Sequence, residues 1–207
     1  MQVLAGAPSA AARDTEVNGA PPKILPIPES ELGAEALEYC RQLRIVLGIP
    51  EDGVIPDVTA TMLRHPALND AQTQMGIMLA GKGTISARER EIAVLRQAWV
   101  TGSPYEWGEH VDIGKRLGLS GEDIERIIAG ADAPGWSRHE AAILRGVDEM
   151  LTGYRIADAT WDVLAESWNE QQLLEFPIVV GVYIATALQQ NSFGVALRDG
   201  NPGLSHR

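Results

Sequence analysis

The sequence predicts an all-α fold, a helical bundle of roughly seven to nine helices. Three observations carry that expectation. Apolar residues recur at helical rather than alternating spacing along most of the chain. Two Ser-x-x-Glu capping boxes, Ser86 to Glu89 and Ser137 to Glu140, stand before apolar runs. No stretch shows sustained strand alternation bounded by hairpin turns. With 207 residues, 45% of them apolar, the chain is long enough for one domain with a sizeable core, or for two small repeats sharing one.

Taken in order, residues 1–35 are rich in Ala, Pro and Gly and read as an extended arm, with Pro21, Pro22, Pro26 and Pro28 favouring a polyproline-like course. Residues 36–200 read as a single helical domain and 201–207 as a tail. The first helix is expected over Leu37 to Leu47, ended by Gly48 and Pro50. A second covers Asp57 to Arg64, interrupted at His65-Pro66, and a third runs from Leu68 to about Leu79. The Ser86 capping box opens the next, which carries Ile92, Leu95 and Ala98 and ends near Gly102. Ser103-Pro104 restarts the chain with proline in the first turn, giving a helix from Tyr105 to Leu117. Ser120 starts a short helix to Ala129, and Ser137 one to about Leu151. Asp158 or Thr160 starts a helix containing Trp161, Leu164 and Trp168. Gln171 to about Asn191 is the last. Ser86/Glu89/Ile92 lines up with Ser137/Glu140/Ile143, each followed by two more helices, a faint internal echo.

The formal net charge is −11. An acidic chain is repelled by phosphate backbones, so nucleic acid is not an expected partner. Cys40 is the only cysteine, which excludes an intrachain disulfide, a CxxC pair and a multi-cysteine metal site; in an apolar helix it reads as core filler. The longest apolar run, Phe176 to Leu188, holds 13 residues with Pro177 and Gly181 inside. A membrane span needs about 20, so the run reads as a buried core helix and no membrane partner is expected. The first residues lack a basic segment and an apolar block. The expectation is a cytoplasmic protein.

The chemistry centres on the helix after Pro104. At about 3.6 residues per turn, Glu106, His110, Ile113 and Leu117 share one face, while Glu109, Asp112, Lys115 and Arg116 make an ordinary solvent side. A carboxylate and an imidazole thus fall on the inward side, where unpaired charge is costly. Glu91 repeats the anomaly on the preceding helix, on a stripe with Leu95 and Ala98. A short linker implies antiparallel packing, so Glu91 can approach Glu106 and His110. Two carboxylates and one imidazole in a dry pocket push their pKa values apart, the usual basis of an acid and a base. The plain alternative is a satisfied i,i+4 polar contact. A metal enzyme using Glu91, Glu106 and His110 is a further alternative; with His65, His139 and His206 placed elsewhere, no metal or other cofactor is expected.

Arg88-Glu-Arg-Glu-Ile-Ala-Val-Leu95, Tyr105-Glu-Trp-Gly-Glu-His110 and the Gly118-Leu-Ser cap resemble the carboxymuconolactone decarboxylase family, which shares its fold with alkylhydroperoxidase D-like proteins. Residues 137–150 and Gly181-Val-Tyr183 look like its longer members, and the resemblance spans roughly residues 37–200. In the peroxidase branch a Glu precedes a Cys-x-x-Cys-x-x-x-His signature. By position Glu91 and His110 match the Glu and the His, while Ser103 and Glu106 stand where the cysteines would be, so disulfide-based peroxide reduction is not implied. What the resemblance implies is cofactor-free proton transfer on a small carboxylated or lactone-like substrate, by a decarboxylase or isomerase of aromatic-compound breakdown. It implies His110 as the proton carrier, Glu106 as its orienting or acidic partner, and Glu91 as a proton-sharing carboxylate. Tyr105, Trp107 and Tyr183 become candidates for substrate contact, and Arg64, Arg90 and Arg96 for anchoring a carboxylate. The same fold without chemistry, a binding or assembly module, is the other reading. A homo-oligomer (dimer, trimer or hexamer) is implied too.

Overall fold

The computed structural model describes residues 21–47 and 50–207. Nine α-helices are found among the described residues, and no strand: α1 (Ala34–Leu47), α2 (Asp57–Met62), α3 (Pro66–Lys82), α4 (Ala87–Thr101), α5 (Pro104–Arg116), α6 (Gly121–Ala129), α7 (Arg138–Gly153), α8 (Asp158–Ala165) and α9 (Glu170–Phe193). Short 3-10 turns cover Glu29–Glu31 and Gly203–Ser205. The N-terminal arm lies outside the described residues up to residue 20. From Pro21 onward it is tied down: Lys23 N–H donates to Phe193 O, Ile27 N–H to Ala60 O, and Arg64 Nε to Leu25 O.

α4 is the hub. It packs against α5, α7 and α9 and touches α6. Ile92, Ala93, Val94, Leu95, Gln97 and Ala98 are all buried, so α4 has almost no solvent face. Its start is the Ser86 capping box: Ser86 Oγ accepts from Glu89 N–H and Glu89 returns a bond to Ser86 N–H. The Ser137 box opens α7 in the same way, and Ser120–Asp123 forms a third at α6. The echoed helices α4 and α7 lie side by side, with Ile92 and Ile143 both in the main core. Polar pairs stitch them: Arg88 to Glu140, Glu89 to His139, and Arg96 to Asp148 through two bonds of 2.7 and 2.9 Å.

Gly102 closes α4 in the left-handed region (φ 62°), a conformation that costs glycine nothing. Ser103 and Pro104 then launch α5. The two helices run antiparallel, as the short linker predicts: Trp99 meets Trp107 near the turn, with ring centroids 5.0 Å apart, and Glu91 meets His110 farther from it.

Two expectations are corrected. The expected inward stripe of α5 holds at Glu106, which is buried, but not at Leu117, which is 41% exposed; Trp107, Val111 and Gly114 fill the core beside it. Trp107 is larger than any aliphatic residue of that helix, and it takes the core position. The run in α9 is also not buried throughout. Phe176, Val179, Val180 and Ala187 face the core, whereas Leu174, Ile178 and Leu188 are exposed. By length and composition α9 would suffice to cross a membrane, but one of its faces is committed to α4. Residues 201–207 fold against α5: Leu204 is buried, Trp107 Nε1 donates to His206 O, and His206 pairs with Asp112. Cys40 is fully buried in a small cluster with Ile55 and Leu63, where burial raises its thiol pKa.

Candidate active site

Glu91 sits on the α4 face toward α5 and α9, with only 2% of its surface exposed. A carboxylate sealed so deeply needs a partner, and it has two. Its Oε2 lies 2.7 Å from His110 Nδ1, and its Oε1 lies 3.6 Å from Arg90 Nε. Arg90 is itself 9% exposed and reaches Leu79 O on α3 with Nη1. The His110 side chain keeps 13% exposure. With Nδ1 engaged by the carboxylate, Nε2 is left as the ring atom open to an incoming molecule.

Glu106 was expected to pair with His110, one turn away on the same helix. The structure pairs His110 with Glu91 instead. Both Glu106 carboxyl oxygens are buried with no hydrogen-bond partner among the described residues. Burial first, and the neighbouring Glu91 charge second, push the Glu106 pKa well above the ordinary carboxylate value of 4.5. Burial beside Glu91 therefore favours the protonated form of Glu106.

Tyr183 completes the cluster from α9. Its ring meets His110 edge-on, with centroids 5.1 Å apart and planes at 87°. Its phenol pKa is raised by burial and by the charges of Glu91 and Glu106, against a smaller opposing pull from Arg90. Leu79, Val94 and Val179 form the apolar wall behind it.

The other candidates lie elsewhere. Trp107 is fully buried against Trp99 and the C-terminal segment, so it is core. Tyr105 lines a separate cavity of about 530 Å³ with Glu109, Asp112, Arg116 and Arg198; burial and the Glu109 charge raise its pKa, and no triad residue contributes. Arg64 holds the N-terminal arm. Arg96, a candidate anchor, is clamped instead by Asp148 and by the carbonyls of Ile127 and Ile128. Among the three arginines, Arg90 alone is at the site. Ser103 is fully buried and donates to Gln190 Oε1 at 3.3 Å. Glu91 and His110 turn their polar atoms on each other, and no group of three His, Cys, Asp or Glu side chains among the described residues is disposed to hold a metal ion.

One feature the sequence did not signal is a second carboxylate–imidazole contact, Glu89 Oε1 to His139 Nε2 at 2.9 Å, with Trp168 edge-on to the imidazole. His139 lies within the Ser137 capping box, and its partner comes from the neighbouring helix.

Residues 66–149 match the family model described as the carboxymuconolactone decarboxylase family. No curated protein matches the chain at a significant level. An uncharacterized peroxidase-related protein from Silicibacter sp. superposes with a TM-score of 0.73 at 19% identity, covering 89% of this chain and 97% of that one. The alkylhydroperoxidase AhpD core protein from Ralstonia eutropha, also described as an uncharacterized peroxidase-related protein, gives 0.72 at 16%, covering 87% and 94%. The apo debrominase Bmp8 gives 0.69 at 15%, covering 84% and 91%. At such identities the superpositions establish the fold. The helical core over residues 66–149 matches the carboxymuconolactone decarboxylase family model, and the chain adopts an alkylhydroperoxidase D-like fold without the paired cysteines.

Proposed function

We propose that this protein is a cofactor-independent enzyme that moves a proton on a small carboxylated or lactone-like compound. The observation that carries the reading is the 2.7 Å contact between Glu91 Oε2 and His110 Nδ1. A carboxylate on Nδ1 holds the imidazole in one orientation and stabilises the imidazolium once Nε2 has taken a proton. That is the arrangement of a general base. Glu106, alongside and pushed toward its protonated form by burial and by Glu91, is the candidate acid partner of the pair. Arg90 offsets the Glu91 charge and is the group nearest to hand for an anionic substrate. Thiol chemistry does not enter the proposal. A variant of the debrominase with a cysteine replaced by alanine has been solved with 2,3,4-tribromopyrrole, whereas here Cys40 lies in its own cluster with Ile55 and Leu63.

The test follows deuterium uptake from D2O into a β,γ-unsaturated γ-lactone by proton NMR. The wild-type protein is expected to catalyse exchange, and His110→Ala to lose at least about a hundredfold in rate while circular dichroism shows it still folded and helical at the assay temperature. Exchange at the wild-type rate in His110→Ala sinks the proposal.

A second reading, a binding or assembly module of the same fold, is favoured by a specific observation. Five cavities in the structure are lined by other residues than Glu91, Glu106 and His110. On that reading no lactone, keto acid or unsaturated acid is turned over, and His110→Ala changes stability alone. We also propose that the protein is a homo-oligomer, on the exposed apolar residues that α3 and α9 share.

A further inference from the structure

The function proposed above leaves the negative charge of the reaction unaccounted for. A base that takes a proton from carbon leaves an electron pair behind, and the site must hold the oxygen that receives it. The residues around His110 offer few donors. Glu91 is committed to Nδ1 and Arg90. Glu106 keeps both of its oxygens buried, away from an incoming molecule.

Tyr183 is different. It reaches the site from a third helix, and its ring stands edge-on to the very imidazole that would act as base. Its hydroxyl makes no hydrogen bond among the described residues, and it is not among the sealed polar atoms of the interior. Tyr183 is partly buried, and its O–H is placed to reach a molecule entering the site. A phenylalanine would fill the gap between Leu79, Val94 and Val179 as well, so packing does not explain the hydroxyl. An unfilled donor beside an open His110 Nε2 is the arrangement expected of a group waiting for a ligand oxygen.

We propose that Tyr183 is a catalytic residue of this site, donating a hydrogen bond to the substrate oxygen that becomes negative as His110 Nε2 takes a proton from the adjacent carbon. This inference rests on the proposed proton-transfer reading. It also narrows the substrate class to enolisable carbonyl compounds, such as unsaturated lactones and keto acids. The step balances without an oxidant or reductant. The C–H bond breaks, its proton bonds to Nε2, and its electron pair moves through the carbon to the carbonyl oxygen. The resulting enolate is held by the Tyr183 O–H, and the imidazolium returns the proton to the same carbon or to a conjugated one.

The groups facing Tyr183 fit this role. From α4 come Arg90 and Glu91, and from α5 Glu106 and His110. Burial and the two carboxyls keep the phenol protonated, hence a donor, and Arg90 moderates the field that an arriving oxyanion meets.

The test uses 4-nitrophenolate as a stable oxyanion, titrated at mildly alkaline pH and read by absorbance. Wild type is expected to bind it, Tyr183→Phe to bind about tenfold or more weakly, and His110→Ala to keep most of the affinity. Val147→Ala, a packing change in the main core away from this wall, controls for a loosened fold and should bind as wild type does. If Tyr183→Phe matches wild type, or if wild type binds no phenolate, the inference is overturned. The lactone exchange assay separates the two claims. Exchange lost in His110→Ala and intact in Tyr183→Phe overturns the role of Tyr183 and leaves the proton-transfer reading standing. Exchange intact in His110→Ala, with phenolate affinity lost in Tyr183→Phe, overturns that reading and supports the hydroxyl as the oxyanion donor.

Discussion

Glu106 is the residue at which neighbouring side chains matter most. Its raised pKa makes stability depend on pH in a definite direction. Below the ordinary carboxylate value of 4.5 it is protonated in both folded and unfolded chains and contributes no slope. Above that value the unfolded chain releases the proton while the folded one retains it. Stability therefore falls as pH rises, until the raised folded pKa is passed. Glu106→Gln keeps the shape and removes the proton. It is expected to stabilise the protein by ~1–3 kcal/mol at mildly alkaline pH and far less at pH near 4.5, as thermal or urea melts at the two conditions would show. An equal effect at both would mean that Glu106 is ionised in the fold. Helical spacing alone put Glu106 and His110 on neighbouring turns and marked Glu91 as inward. It did not decide which carboxylate takes the imidazole, because that depends on the approach of α4 to α5 and not on either helix alone.

At the scale of elements, local signals worked where the chemistry is local. Ser86 and Ser137 start helices because their hydroxyls satisfy backbone donors within three residues. Gly102 and Gly194 end them for want of a Cβ. Residues 201–207 read as a tail in the sequence. Their place is set by α5. A Cβ on Gly108 would stand 1.7 Å from Asn201 Oδ1, and Asn201 bonds Tyr105 O, Glu109 and Gly203 N–H. Gly108→Ala gains about 1 kcal/mol of helix propensity but forces Asn201 aside, an overpacking cost of ~1–3 kcal/mol. The crowding should win. The expected outcome is a lower thermal midpoint and faster proteolytic clipping near the C-terminus; a raised midpoint with an uncut tail would show that Asn201 yields freely.

For the whole molecule, the open question of surface is the apolar side of α3 and α9. Leu68, Met75, Ile77 and Met78 on α3 and Leu174, Ile178 and Leu188 on α9 are exposed, and a cavity of about 430 Å³ runs between Met75, Ile178, Gly181 and Val182. Contiguous apolar patches of this kind mark interaction surfaces, which supports the proposed homo-oligomer. Sedimentation velocity is expected to show a species larger than one chain, and Ile178→Lys to shift it toward the monomer. A wild-type monomer at all concentrations would contradict the proposal.

The sequence by itself determined the helices and their order, the cysteine-free character of the site, and the presence of Glu91, Glu106 and His110 on facing surfaces. These follow from periodicity, capping chemistry and composition, all of which act over a few residues. The tertiary structure decided what acts across helices. It gave His110 to Glu91, pushed Glu106 toward its protonated form, and brought Tyr183 and Arg90 to the site. It sent Tyr105, Trp107 and Arg96 elsewhere. A side chain's partner and its protonation state depend on burial and on charges contributed by other elements, and those exist only once the helices have packed.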